Sequence, residues 1–237
     1  MKDLTLLVGT CDKYSFLWDN FKTLEQRYLG LKDCPRVAFS ESMEFGDGYT
    51  TSFEGKGKNS EVWSNRLLKA LKEVDTEFVF FVLEDYYFTR EIPQEDFEQI
   101  VQLLTATDFN KFMYVNQLRS YKVADTLWFE KRMKLFGTPF IQHPTSDYLT
   151  SVQPAVWRTS FLKDCVHRDW SPWDLEIKGT KEIAGENNKI LLYHSDDIYF
   201  NAVRSVGETS AEKRIAVSEG WEEVRDKENL KEIVLPK

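Results

Sequence analysis

Glu84 and Asp85 stand side by side in the segment FVFFVLEDYYF, Phe78 to Phe88. Adjacent carboxylates after a buried apolar run have two ordinary uses. They end a strand as a charged cap that faces water, or they hold a divalent cation that in turn holds a diphosphate. Phe78 to Leu83 is apolar throughout, which fits a strand covered on both faces in a parallel or mixed sheet. The acidic pair then sits at or just past the strand's carboxyl end, where open α/β sheets place ligand-binding groups.

A second pair of carboxylates, Asp174 and Glu176, lies in SPWDLE beside Trp173. Ser171 at a cap and Pro172 at the first helical position are good start signals, and Asp174 favours the first turn. Residues two apart do not share a helix face, so one carboxylate can face a cavity while the other caps or pairs. His194 follows a short apolar run and precedes Asp196 and Asp197; it reads either as a polar strand end or as a ligand for a divalent cation.

The elements that must position these groups alternate along the chain. Leu4 to Gly9 reads as a first strand, Thr10 to Lys13 as the loop beyond it, and Ser15 as the cap of a helix reaching about Tyr28 with Leu17, Phe21, Leu24 and Tyr28 on one face. Pro35 to Phe39 is a second strand. Ser40 to Ser60, rich in Gly, Ser and Thr, reads as a long loop that contains a small hairpin and either covers a ligand or is a surface excursion. Ser60 caps the next helix, with Val62, Leu67, Leu68, Leu71 and Val74 inward. Pro93 fits the first turn of a helix burying Phe97, Ile100, Val101 and Leu104. Phe112 to Val115 and Ile190 to Tyr193 are further strands, and Leu127 to Phe136 reads as a hairpin or edge segment. A helix with Phe161, Leu162, Cys165 and Val166 follows Tyr148 to Trp157. Trp221 reads as an exposed exception in a charged C-terminal stretch. The alternation favours α/β over all-helical or all-strand classes.

The 237 residues suffice for one domain, and 42% apolar residues supply a core. A formal charge of -8 argues against a nucleic-acid backbone as partner, so an anionic ligand needs local help from a metal, a few basic groups or a helix N-terminus. Aromatics at 14% can wall a pocket for nucleobases or sugars, or fill a core. Cys11, Cys34 and Cys165 form no CxxC pair. The odd count, with an N-terminal apolar run too short for a signal peptide or membrane helix, is expected of reduced thiols in the cytoplasm. Peripheral contact with the inner face of a membrane stays open.

LLVGTCDKY, the segment VWSNRLLKALKEVDTEFVFFVLEDYYF, SVQPAVWRTSFL and SPWDLEIKG, spanning roughly residues 4 to 180, together resemble small bacterial glycosyltransferases of the nucleotide-sugar-dependent GT-A type, of the sort found in capsule or lipopolysaccharide gene clusters. The resemblance implies a GT-A-like, Rossmann-like mixed sheet flanked by helices. It implies one domain over 1–237, with a nucleotide-binding part about 1–115 and an acceptor-side part about 116–237. It implies transfer of a sugar from a nucleoside diphosphate sugar, UDP-linked, to a hydroxyl of a glycan or lipid-linked glycan, with inversion. By resemblance Thr10, Asp12 and Tyr14 lie in the nucleotide loop, with Asp12 accepting from uracil or ribose and Tyr14 stacking on the base. Arg66 meets phosphate with its forked donors. Asp85, aided by Glu84 and His194, ligates Mn²⁺ or Mg²⁺. Ser151, Gln153, Trp157 and Trp173 line the sugar or acceptor region, and Asp174, ahead of Glu176, is the general base. The chain departs from the family in having Leu83-Glu84-Asp85-Tyr86 where an Asp-any-Asp element is usual, which bears directly on metal dependence.

Two other functions compete. A sugar-nucleotide nucleotidyltransferase needs the same cation and nucleotide pocket, but also a Gly-rich, Lys/Arg-bearing loop that GTCDKYSFLW does not provide. A carbohydrate-binding or scaffold protein on a transferase fold would explain the incomplete acidic motif.

Overall fold

The computed structural model describes residues 1–53, 62–118, 121–124, 139–185, 188–195, 198–206 and 214–235. The expected helix cap at Ser60 and hairpin at Leu127 to Phe136 lie outside these residues, as do Asp196 and Asp197. In chain order the strands are β1 (Leu4–Gly9), β2 (Arg36–Ser40), β3 (Thr50–Phe53), β4 (Phe78–Leu83), β5 (Tyr86–Phe88), β6 (Phe109–Val115), β7 (Val123–Ala124), β8 (Phe140–Gln142), β9 (Ala155–Arg158), β10 (Lys189–His194), β11 (Tyr199–Asn201), β12 (Val203–Val206) and β13 (Arg214–Val217). The α-helices are α1 (Trp18–Tyr28), α2 (Trp63–Ala70), α3 (Gln94–Ala106), α4 (Thr159–Cys165), α5 (Pro172–Asp174), α6 (Thr180–Ile183) and α7 (Trp221–Glu228). A π-helical turn, Leu175–Gly179, joins α5 to α6.

A nine-stranded mixed sheet organises the chain in the order β3-β2-β1-β4-β9-β6-β10-β8-β7. β3, β2, β1 and β4 run parallel. β9 enters antiparallel between β4 and β6, and β10 runs parallel to β6. β1, β2, β4, β6 and β10 therefore all end on the same edge. The expected mixed α/β sheet flanked by helices is what the chain forms.

The continuous apolar runs exist because both faces of the sheet are covered. Successive strand residues point to opposite faces: Leu6, Val8, Phe78, Phe80 and Val82 face one core with Phe21, Leu24 and Phe97 of α1 and α3. Leu7, Val79 and Phe81 face the other with Leu67 and Leu162 of α2 and α4. Gly9 closes β1 where a Cβ would meet the Phe39 ring at 2.8 Å and the Leu83 side chain at 2.9 Å, so glycine is what lets β1 end tightly between its neighbours.

Local details differ from expectation. The turn after β1 winds as a 3-10 helix, Asp12–Leu17, with Ser15 inside it rather than capping α1; Tyr14 N–H donates to the Cys11 carbonyl at 2.9 Å, the short reach of that winding. Pro93 caps α3 instead of starting it. The loop after β2 contains no hairpin among its described residues but an edge strand, β3, parallel to β2. Trp221 is buried, because α7 folds it back on Tyr87 at 5.8 Å between ring centroids.

Candidate active site

Five strand ends deliver the chemistry to one edge. β1 ends before Thr10, β2 before Glu41, β4 before Glu84 and Asp85, β6 before Asn116, and β10 at His194. The antiparallel β9 begins on this edge, so Ser151 to Gln153, just before it, arrive there too.

Around β1, β2 and β4 the groups are charged. Glu41 accepts from Arg66 at 2.9 Å and from the Asp12 backbone N–H at 2.5 Å. Arg66 is buried on α2. Asp12 is occupied from within: its carboxylate accepts from the Ser42 and Met43 amides at 3.1 Å and from the Ser42 hydroxyl at 2.5 Å. Burial works against its charge, but these hydrogen bonds outweigh it and hold the carboxyl below its ordinary value. Asp12 thus organises the turn after β2 in this structure, with its acceptor sites filled. Thr10 is also turned inward, its hydroxyl taking the Trp18 indole N–H at 2.6 Å.

Glu84 and Asp85 occupy the turn between β4 and β5. Burial raises both carboxyls above their ordinary range, and the neighbouring charge of Asp85 pushes Glu84 further. The Asp85 Oδ1 atom is buried with no hydrogen-bond partner among the described residues. An orphaned carboxylate oxygen is expensive, and such groups concentrate at functional sites. Tyr14 stands near the pair: burial, then the charges of Cys11, Glu84 and Asp85, lift its phenol to about 12. His194 is turned toward the Asn116 carbonyl, 3.0 Å from Nε2. Among the described residues no group of three or more His, Cys, Asp or Glu side chains converges as a metal site.

Next to this pair opens a cleft of about 570 Å³, lined by Tyr86, Tyr121, Tyr199, Ser151, Gln153 and Glu176 among others. β5 and β11 pair antiparallel and bring Tyr86 and Tyr199 together edge to face at 5.0 Å. Gln153 donates to the Tyr121 hydroxyl at 2.9 Å and accepts from the Tyr199 hydroxyl at 2.6 Å. Glu176 takes the Ser151 hydroxyl and the Val152 amide, each at 2.9 Å on Oε1. Tyr148, also on the cleft, is a non-glycine residue at φ 60°, a conformation that costs about 1–2 kcal/mol and that clusters at ligand sites.

The two carboxylates of SPWDLE part company as residues two apart on a helix must. Asp174 completes a capping box with Ser171 and pairs with Lys178 at 2.8 Å. Lys178 first, then the Ser171 hydrogen bonds, hold its carboxyl down at about 2, far too weak a base for a hydroxyl near neutrality. That corrects the expectation that Asp174 leads. Trp157 is corrected as well: it lies wholly inside the core on β9, stacked on Phe161 at 5.9 Å, with no face for a sugar. Trp173 is 64% exposed, one turn before Ile177, and does not line the cleft. Glu41, Tyr86, Tyr121 and Tyr199 are site residues the sequence did not single out. The Tyr86 signal was present in LEDYYF, immediately after the acidic pair.

A Rossmann-like parallel half, an antiparallel strand inserted before the next parallel pair, and acidic residues at the central strand's end make a GT-A-like architecture. Solved structures of S. aureus TarS have this fold. TarS residues 1–349 match with a TM-score of 0.52 and 17% identity over 84% of this chain and 59% of that one. The same TarS segment in complex with UDP-GlcNAc matches at 0.53 and 17% over 96% and 65%, and a longer TarS structure at 0.54 and 15% over 84% and 36%. The chain spans less than two thirds of the length of these proteins, and at such identity the likeness is one of fold. No family model matches the chain, and no curated protein matches it in sequence.

Proposed function

We propose that the chain is a glycosyltransferase that moves a sugar from a nucleoside diphosphate sugar, UDP-linked, to a hydroxyl of a surface-glycan acceptor with inversion. The observation that carries this reading is the Glu84–Asp85 pair, with Glu84 buried and a buried, orphaned Asp85 oxygen, beside a tyrosine-walled cleft that holds Glu176. The GT-A-like fold shared with a protein solved in complex with UDP-GlcNAc supports it.

In this reading the donor diphosphate lies across the ends of β1 and β4. Asp85 would be the carboxylate that holds a Mn²⁺ or Mg²⁺ ion brought in with the donor, since such ions take few protein carboxylates alongside substrate phosphates; Glu84 and His194 do not converge with it into a three-residue ligand set. When bound, that ion offsets charge on the departing diphosphate. Arg66, steered by Glu41, offers donors on the same side. Tyr14 covers the nucleotide, and Asp12 and Thr10 hold the turns that shape its pocket.

The cleft takes the sugar and acceptor. Its tyrosine rings suit sugar C–H faces, and the Gln153 amide serves hydroxyls as donor or acceptor. Glu176 removes the proton from the acceptor hydroxyl as that oxygen attacks the anomeric carbon from the face opposite the diphosphate. The C–O bond to the diphosphate breaks, and UDP leaves with the electron pair. Exposed Trp173 and Ile177 extend the acceptor surface beyond the cleft, where a glycan or its lipid-linked carrier would lie. No helix among the described residues is long and apolar enough to cross a membrane, so contact with a lipid-linked acceptor, at the cytoplasmic membrane face in this reading, would be peripheral.

The test is turnover of a panel of UDP- and GDP-sugars with mono- and oligosaccharide acceptors, reading nucleotide release and product anomer. Acceptor-dependent UDP release with an inverted product is the expected result. Nucleotide triphosphate consumption without transfer, or a product that keeps the donor anomer, would overturn it.

A further inference from the structure

Lys111 is wholly buried. It lies in β6 on the same sheet face as Met113 and Val115, in the core beneath the cleft. Burying an amine among apolar side chains costs free energy unless its donors are used. Here they are used on one short segment: Nζ donates to the Ser151 carbonyl at 2.7 Å and the Leu149 carbonyl at 3.3 Å, and lies 3.9 Å from the centroid of the Trp157 ring.

The other side of that segment grips the helix of the site. Thr150 donates to the Leu175 carbonyl at 2.7 Å and shares a 3.1 Å contact with the Thr180 hydroxyl. Ser151 and Val152 hold Glu176 at 2.9 Å each. Residues 149–152 are thus fixed from below by Lys111 and fix the Glu176 carboxylate above.

We propose that Lys111 is a positioning residue for Glu176, acting through the Leu149 and Ser151 carbonyls to aim the Ser151 hydroxyl and Val152 amide at that carboxylate. The inference rests on Glu176 as the acceptor base. The two groups are also coupled by charge. Burial draws the Lys111 ammonium down to about 7, while Glu176, then Cys165 of α4, pull the other way. Its cross-strand neighbours, Trp157 on β9 and Ile190 on β10, bring no charge. The Glu176 charge favours the protonated form of Lys111.

The first test needs no turnover. NMR titration of the labelled Lys111 side chain is compared in the full chain and in Glu176→Gln. The midpoint is expected to fall by about half a unit or more when the Glu176 charge is removed; an unchanged midpoint overturns the coupling. The second test is kinetic. Lys111→Met, which fits the apolar layer, is expected to lower kcat about tenfold or more with donor KM unchanged, the split of a group that positions the base without touching the donor. A folded Lys111→Met with wild-type kcat, or one whose kcat and donor KM change together, overturns the proposal. If that variant fails to fold, Ser151→Ala cuts the same relay by removing one buried hydroxyl and leaving the Ser151 carbonyl on Lys111, and normal kcat there is equally fatal. If the unaltered chain transfers no sugar, the functional reading fails, while the titration still decides whether Lys111 and Glu176 are coupled.

Discussion

At the scale of single residues, what separates a structural carboxylate from a chemical one is what already occupies its oxygens. Asp174 is spent on Ser171 and Lys178, whereas Glu176 keeps to the cleft. Glu176→Gln should therefore lower kcat by about 10²-fold or more with donor affinity nearly intact, the pattern of an interaction used mainly in the transition state. Asp174→Asn should retain transfer and instead cost about 1 kcal/mol of stability through its cap. Side-by-side kinetics and denaturant melts check both. The Asp174 carboxyl is depressed in the folded chain, so its contribution is present above the unfolded-state value and fades as pH falls toward about 2. The Glu84–Asp85 pair runs the other way. Its carboxyls are raised by burial, so the folded chain holds their protons to higher pH than the unfolded chain does, and stability falls as pH rises through the interval between ordinary and raised values. Asp85→Asn should melt later than the unaltered chain at pH 7 without ligand, by about 1–3 kcal/mol, yet lose donor binding. A variant that melts earlier at pH 7 would show that the pair is not a stability cost. The acidic pair was legible in the sequence because it closes an uninterrupted apolar strand. The division of labour between Asp174 and Glu176 was not: spacing alone says that two carboxylates diverge and cannot say which one meets Lys178 and which one meets Ser151.

At the scale of elements, the site depends on loops held by a few polar ties. The turn after β2 is tied to the turn after β1 by Asp12 and to α2 by the Glu41–Arg66 pair. If the donor lies between these elements, amide exchange over residues 40–53 should slow when UDP and Mn²⁺ are added; exchange identical with and without them would make this segment passive. Tyr148 carries a second prediction. Tyr148→Gly removes the positive-φ penalty but also an aromatic wall, so acceptor KM should rise severalfold while donor KM stays put, with the backbone gain of about 1 kcal/mol offset by glycine's entropy. Element types were readable where apolar periodicity is strong: β1, β4 and α3 match because each has a continuous or one-sided apolar pattern. The turn after β1 was misread because Ser15 has the chemistry of a cap, yet the tight reach from Tyr14 to Cys11 winds the chain as a 3-10 helix first. Strand β3 escaped notice because TTSF in a Gly- and Ser-rich stretch has little hydrophobic signal, and its place at the sheet edge asks for little.

At the scale of the whole molecule, one sheet edge gathers the charged groups that follow β1, β2 and β4 and the aromatic cleft, holding Glu176, that is bounded by β5, β11 and the approach to β9. That arrangement follows from strand direction: Thr10 and His194, far apart in the chain, arrive at one edge because their strands end together. Chain order alone hid this for Tyr199, which reaches the cleft only through the β5–β11 pairing, and for Lys111, whose single charge in an apolar strand is meaningful only once the Ser151 carbonyl is seen above it. The central claim is that Asp85 helps seat a nucleoside diphosphate at this edge. Calorimetric titration of UDP, with and without Mn²⁺, into the unaltered chain and into Asp85→Asn tests it most directly. Saturable UDP binding that Mn²⁺ tightens at least tenfold and that Asp85→Asn weakens by a similar factor is the expected result. UDP binding absent under every condition, or equally tight in Asp85→Asn with Mn²⁺ present, would contradict it.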